Sequence, residues 1–429
     1  MIEIIEKESD IEEFFNVLKK RGAVNSGDFS DTVKAIVNDI ALNGDEALTK
    51  YTKKFDDPNF NIKNVEVSKD ELKAAFDSLT EKQKQVLLKS KERIQSFHEH
   101  QKRDTWMYED SIGAKLGMRY TAIEKVGVYV PGGKAAYPSS VLMNVLPAKV
   151  AGCEEIDMVT PAVNGVVNPV VLAAAYVCGV DHVYKIGGAQ AIAALAYGTQ
   201  SIPKVYKIVG PGNIFVALAK REVYGLVGID SIAGPSEITI IADETVHPKF
   251  AAADLMAQAE HDVLASSTLF VTDMAKAIEV RNQVEEYLKE ASRKDILEKS
   301  LTNWSKIIVV KSIEEAAKYV NIQAPEHLEI AMDEPEKALP LIKNAGAIFM
   351  GHYSAESYGD YMAGPNHVLP TVATAKFFSP LGVEDFIKRT SLQKLNKEAA
   401  LQLADDVDTF AKLEGLTMHA LSAAVRKDE

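Results

Sequence analysis

Through the first hundred residues apolar positions recur at helical spacing. Two of these stretches open on capping-box patterns, Ser9 with Glu12 and Ser68 with Glu71, in which paired side chains satisfy free backbone N–H groups at a helix start. From Val126 the texture changes to short β-rich runs punctuated by glycine turns and alanine-rich, helix-like stretches. VGVYVPGG, EIDMVTP, HVYKIGGAQAIAALAYG, VYKIVGPGNIFVALAKR and SIAGPSEITIIAD follow one another in this way. Strand, turn and helix recurring about every 20 to 30 residues predicts a parallel sheet with crossover helices. After residue 250 helical spacing returns, with strands predicted at STLFVTD, SKIIVVK and AGAIFMG. Beyond Ser379 helix formers run nearly to the end, interrupted by Gly382 and Gly415.

The pattern predicts an α/β fold of two Rossmann-like parallel-sheet domains with an additional helical C-terminal segment. Residues 126–236 are expected to form the nucleotide-binding domain. Residues 1–125 and 237–378 together form a discontinuous α/β domain with a helical N-terminal segment, and 379–429 form a small helical arm. A chain of 429 residues exceeds the span of one hydrophobic core, in keeping with this division.

Charge and composition narrow the function. The net charge of −13 and the lack of a basic stripe argue against a nucleic-acid partner. The amino terminus, MIEIIEKESDIEEFF, is acidic and does not read as a signal peptide. The longest apolar run, near PVVLAAAYVCGV, is shorter than the roughly 20 residues of a membrane span. Cys153 and Cys178 lie in apolar surroundings and read as packed thiols of a cytoplasmic protein.

The glycine turns are the first candidate chemistry. Gly132/Gly133, Gly187/Gly188 and Gly210/Gly212 each follow a strand, where backbone N–H groups can approach an anion at a helix start. None completes the dinucleotide fingerprint, since GPGNIF has Phe215 in the place of the third glycine. A simple turn or close helix packing explains any one of them; together they suggest a nucleotide crevice, with Tyr129, Gln190 and Asn213 beside it. The incomplete fingerprint predicts weak, partly exposed dinucleotide binding.

The second candidate lies in the carboxyl-terminal half. Gln258 and His261 share a helical face about one turn apart, on a helix that also carries Asp254 and Glu260. Glu326 and His327, after Pro325, should stand on a loop leading into a strand, where a carboxylate beside an imidazole offers acid–base chemistry. Asp360, between Gly359 and Gly364, is expected to project from a turn into a cleft, and His367 sits in a further glycine- and proline-bounded loop. The residue types alone leave a metal site and solvated polar pairs both open.

VGVYVPGG, KIGGAQAIAALAYGT, GPGN, AGPSE, AQAEHD, APEHLEI, GDYMAGPNHVLPT and EGLTMHA, in this order, resemble the histidinol dehydrogenase family from about residue 10 to the carboxyl terminus. The resemblance implies a zinc-dependent oxidation of L-histidinol through the aldehyde to L-histidine, using two NAD. It places the Zn2+ ligands on Gln258, His261, Asp360 and His419, with His419 donated by the neighbouring subunit of a homodimer, so that the carboxyl-terminal segment becomes a dimerisation arm. Glu326 and His327 become the catalytic pair. Substrate contacts fall on Ser236, Gln258, His261, His327, Asp360, Glu414 and His419, and NAD contacts on Tyr129, Gln190 and Asn213. His367 receives no role. Three rivals remain: a relative acting on another small alcohol, a metallohydrolase in which the glycine turns only pack, and a non-catalytic metal-binding protein.

Overall fold

The structure is a computed structural model and describes residues 2–21, 26–132 and 136–427. Gly133 of the first glycine turn lies outside them. In chain order the strands are β1 (Glu3–Ile5), β2 (Trp106–Glu109), β3 (Lys115–Ala122), β4 (Lys125–Tyr129), β5 (Glu155–Val159), β6 (His182–Tyr184), β7 (Lys207–Val209), β8 (Gly228–Ile229), β9 (Glu237–Ala242), β10 (Ser266–Val271), β11 (Lys306–Val309), β12 (His327–Ala331), β13 (Ala347–Met350) and β14 (Ile387–Lys394).

Two parallel sheets dominate. One runs β6-β5-β4-β7-β8 and the other β1-β11-β10-β9-β12-β13. Without β1, the second repeats the order of the first: third, second, first, fourth, fifth. In such a sheet the order reverses beside the first strand, and the connections part there. The fold class read from the sequence is therefore the one present. The strands predicted at STLFVTD, SKIIVVK and AGAIFMG are β10, β11 and β13. β10 and β11 carry Leu269, Phe270, Ile307 and Ile308, fully buried as strands covered on both faces require, while β13 is a partly exposed edge strand.

Several expectations about the periphery differ from the structure. Only β1 and the helix Glu8–Arg21 of the amino-terminal region serve the larger sheet: Ile11, Phe14, Phe15 and Leu18 share a core with Phe270, Ile308 and Leu328. The helices between residues 26 and 99 pack instead on the smaller sheet's helices. Val33, Ile36, Val37 and Ile40 join Ile192 and Leu195, and Leu72, Leu87 and Ile94 join Leu142 and Leu146. The Ser68–Glu71 capping box forms, but Ser9 lies inside its helix, which begins at Glu8. Residues 106–122 and 387–394 form a small antiparallel sheet, β14-β3-β2. The carboxyl-terminal arm is thus not all helix: β14 runs its full eight residues against β3. Its helices are Lys397–Leu413 and Thr417–Ala424.

Both cysteines are buried and unpaired. No helix among the described residues is long and apolar enough to cross a membrane.

Candidate active site

The carboxyl-terminal candidates assemble at the amino ends of β9 and β12, adjacent strands of the larger sheet. The helix Ile313–Gln323 ends on Ala324 in the left-handed region, φ 50° and ψ 63°. Glu326 then stands on the connecting loop and His327 opens β12, the loop-to-strand placement expected from the sequence. Gly346 permits this turn, because a Cβ there would come within 2.5 Å of the Glu326 carbonyl oxygen.

Glu237, first residue of β9, fixes both members of the pair. Its backbone N–H donates to Glu326 Oε2 at 3.0 Å, and its carbonyl lies 3.1 Å from His327 Nδ1. A carbonyl only accepts, so Nδ1 carries the ring proton and Nε2 keeps its lone pair. Burial pushes the His327 pKa down to about 4, which leaves a neutral imidazole at neutral pH. Burial pushes Glu326 well above the usual carboxylate range, and the Glu237 and Asp360 charges act in the same direction. Glu237 is itself buried against Arg21, 2.8 Å away, and accepts from the Val372 N–H at 2.7 Å.

Gln258 and His261 face this pair. The helix Pro248–Ala259 ends at Glu260, so His261 is in the turn beyond the helix rather than on it. The His261 N–H still bonds to the Gln258 carbonyl, 3.2 Å, and the amide end group lies 2.8 Å from His261 Nδ1. Turned with its oxygen toward His261, the amide places its nitrogen 3.2 and 3.3 Å from the two Glu356 carboxylate oxygens, which accept its two hydrogens, and 3.0 Å from His327 Nδ1, whose own proton goes to the Glu237 carbonyl.

Glu356 and Asp360 come from the short helix Glu356–Tyr361, one turn apart. The Glu356 N–H is held by Glu329 Oε1 of β12 at 2.8 Å. Donor atoms of His327, Glu356 and Asp360 all fall within 4.8 Å of one another. Burial alone would raise Asp360, but the His367, His327 and His261 rings outweigh it and hold the carboxyl below its ordinary value. His367 Nδ1 is 3.6 Å from Asp360 Oδ1, which gives that histidine a structural place the sequence did not suggest. Gln258, Glu326, His327 and Glu356 form a buried floor, with Asp360 and His367 half-buried and His261 exposed at the rim. A cleft of about 1050 Å³ opens beside it, lined by His327, Asp360, His367, Phe349 and Tyr358.

This donor set fits a cation. Donor atoms of His327, Glu356 and Asp360 converge, with Gln258 and His261 beside them, and clustered buried carboxylates favour positive charge. Zinc is suited to such nitrogen and oxygen ligands. Ser236 is half-buried on the loop leading into β9, its carbonyl accepting from the Ser266 N–H at 3.1 Å. Glu414 and His419 lie elsewhere on the same chain: Glu414 closes the helix Lys397–Leu413, His419 sits on the next helix, and both are exposed. The chain's own His419 is not part of the buried cluster.

The nucleotide candidates gather at the carboxyl ends of the smaller sheet. The Tyr129 hydroxyl accepts from the Gly188 N–H at 3.1 Å. Gln190 is buried in the following helix and donates to Asp56 Oδ2 at 3.1 Å, while Asn213 is the exposed cap of the helix Ile214–Val223. At Gly210, φ 114°, a Cβ would meet the Tyr129 carbonyl oxygen at 2.1 Å, so the β4 and β7 turns touch there. A second group, Glu155, Asp157 and His182, lies on β5 and β6.

Sequence reasoning missed Glu356, Glu237, Arg21 and Asp56. Glu356 had a signal in its helical spacing from Asp360; the other three reach the sites through hydrogen bonds and an ion pair between segments far apart in sequence.

A profile of the histidinol dehydrogenase family matches residues 19–427. The histidinol dehydrogenase of Lactococcus lactis is 49% identical over 430 residues, covering 100% of both chains. That of Clostridium acetobutylicum is 50% identical over 428 residues, 99% of each. The crystal structure of histidinol dehydrogenase from Elizabethkingia anophelis superposes with a TM-score of 0.94 at 36% identity, covering 100% of this chain and 98% of that one. The chain belongs to the histidinol dehydrogenase family and is an NAD-dependent oxidoreductase of histidine biosynthesis.

Proposed function

We propose that this chain oxidises L-histidinol to L-histidine in two successive hydride transfers, with zinc at the Gln258–His261–Asp360 site and His419 of a second copy as the remaining ligand. What zinc and NAD+ supply when bound is a hold on the imidazole and amine nitrogens of the substrate and, in each oxidation, acceptance of one hydride. The observation that carries the reading is the Glu237 backbone staple, which fixes Glu326 and His327 side by side with Nε2 of His327 free as a base.

His327 Nε2 takes the hydroxyl proton as the carbinol carbon loses its first hydride. The aldehyde must then add water, and Glu326 is the group beside it that can take a proton from that water. Burial raises its pKa; a cation held beside it would favour its ionised form. His327 serves again in the second oxidation. Ser236 and Glu414 bind the substrate, the Glu414 carboxylate by accepting from its amine N–H. Tyr129, Gln190 and Asn213 hold the dinucleotide, weakly and partly exposed.

The arm supports a homodimer. Phe410, Leu413 and Met418 are 66%, 81% and 68% exposed beside Glu414 and His419, an apolar face that one chain leaves uncovered. Docked on a second copy, it brings His419 toward the open rim occupied by His261. The buried free thiols are in keeping with a cytoplasmic setting.

Metal content and histidinol turnover of wild type and His419→Ala test the assignment: both fall in the variant if it is right. Mixing His419→Ala with His327→Ala chains then restores part of the activity, because hybrid dimers contain one intact site. Full activity and metal content in His419→Ala overturn the assignment.

A further inference from the structure

In a sheet of this strand order a carboxylate at the carboxyl end of the second strand ordinarily receives the ribose hydroxyls of a bound dinucleotide. Here the second strand is β5, and it runs into Thr160 and Pro161, neither of which carries a carboxylate. Pro161 instead packs under the glycine turns: a Cβ on Gly132 or Gly187 would come within 2.7 or 2.6 Å of its side chain.

A carboxylate reaches this edge from outside the sheet. Asp56 closes the helix Asp45–Phe55. Its Oδ2 accepts from Gln190 Nε2 at 3.1 Å, and the Gly187 backbone N–H also donates to it. Tyr129 reaches the next residue, Gly188. Asp56, Gln190 and Tyr129 thus meet over the turn that follows β6, on the outer side of β5, where the adenosine half of a dinucleotide lies in this topology. Asn213 stands after β7, across the strand reversal.

Asp56 is suited to a hydroxyl-bearing ligand. An ionised carboxylate offers about four acceptor positions, and the two known donors leave capacity on a side chain that is only partly covered. The groups bonded to it, Gln190 and Gly187, are uncharged. A phosphate placed there would meet like charge with no cation among those partners to offset it.

We propose that Asp56 receives the adenosine ribose hydroxyls of NAD+ and sets the preference for NAD+ over NADP+, whose 2′-phosphate it repels. This rests on reading Tyr129, Gln190 and Asn213 as cofactor contacts.

Steady-state kinetics with NAD+ and with NADP+, for wild type, Asp56→Asn, Asp56→Ala and Gln190→Ala, test it. Both Asp56 substitutions raise the KM for NAD+ about tenfold or more, as loss of a hydrogen bond to a charged group does. They leave the KM for histidinol in place, which shows the variants are folded, and raise the NADP+ to NAD+ ratio of kcat/KM at least about tenfold. Equal losses with both dinucleotides overturn the proposal and make Asp56 a positioning residue for Gln190. An unchanged KM for NAD+ in the Asp56 variants, with a raised one in Gln190→Ala, overturns it alone. If none of the three moves that KM, the cofactor reading falls with it.

Discussion

The end group of Gln258 lies 2.8 Å from Nδ1 of His261, although the helix carrying the glutamine stops before the histidine is reached. The turn beyond the helix keeps the pair together, and Glu356 holds the far side of the amide.

Removal of either partner therefore has a defined effect on metal. On the proposed assignment Gln258→Ala loses a ligand, and zinc measured by atomic absorption after gel filtration falls well below wild type. Glu356→Ala keeps the ligand and frees its orientation. Loss of such an outer partner weakens metal binding about 10- to 100-fold, read by competition with a chelator. Wild-type affinity in Glu356→Ala would refute the role given to that carboxylate.

In the proposed mechanism Glu326 and His327 serve different steps. In Glu326→Gln the first oxidation persists while the second slows by about 10²- to 10⁴-fold, the usual weight of a general base. Rapid single turnovers then yield one NADH per histidinol in the fast phase, and histidinaldehyde can be trapped with a hydrazine. In His327→Ala both steps slow. Two fast NADH equivalents from Glu326→Gln would show that water is activated by another group.

Arg21 and Glu237 form a buried pair, with the guanidinium also reaching the Leu264 carbonyl at 3.2 Å. Truncating one partner strands the other charge. Arg21→Ala is expected to cost about 3–5 kcal/mol in urea unfolding and, on the proposed mechanism, to lower turnover, since Glu237 holds both Glu326 and His327. A loss below about 1 kcal/mol would mean that the site does not depend on this pair.

Asp157 supplies a pH signature remote from catalysis. It is fully buried, and neither carboxylate oxygen has a hydrogen-bond partner. Burial, with the Glu155 charge, pushes its pKa up to about 7. A carboxyl whose pKa is raised on folding holds its proton while the unfolded chain has already lost one. Its contribution to stability therefore falls as pH rises from about 4 to about 7 and then levels off. Asp157→Asn should match wild type below about pH 4 and exceed it at pH 8 by about 4 kcal/mol. Equal stability at both pH values would contradict this.

The two sheets and the Glu–His loop were legible because hydrophobic runs, glycine turns and Pro325 act locally. β14 was not, because Lys388, Arg389 and Lys394 sit in a segment that becomes a strand only by pairing with β3. The allegiance of residues 26–99 was hidden for a similar reason: an apolar helical stripe announces burial without naming the surface it meets. In the site, Gln258 and His261 were readable as neighbours by spacing. Arg21 and Asp56 were not, since 216 residues separate Arg21 from Glu237 and 134 separate Asp56 from Gln190.

The most direct measurement is the absorbance of NADH formed when a limiting, weighed amount of L-histidinol is run to completion with excess NAD+ on the zinc-loaded protein. Two NADH per histidinol, with L-histidine as the product, is the predicted result. A single equivalent with the aldehyde left over, or no reduction at all, would contradict the account.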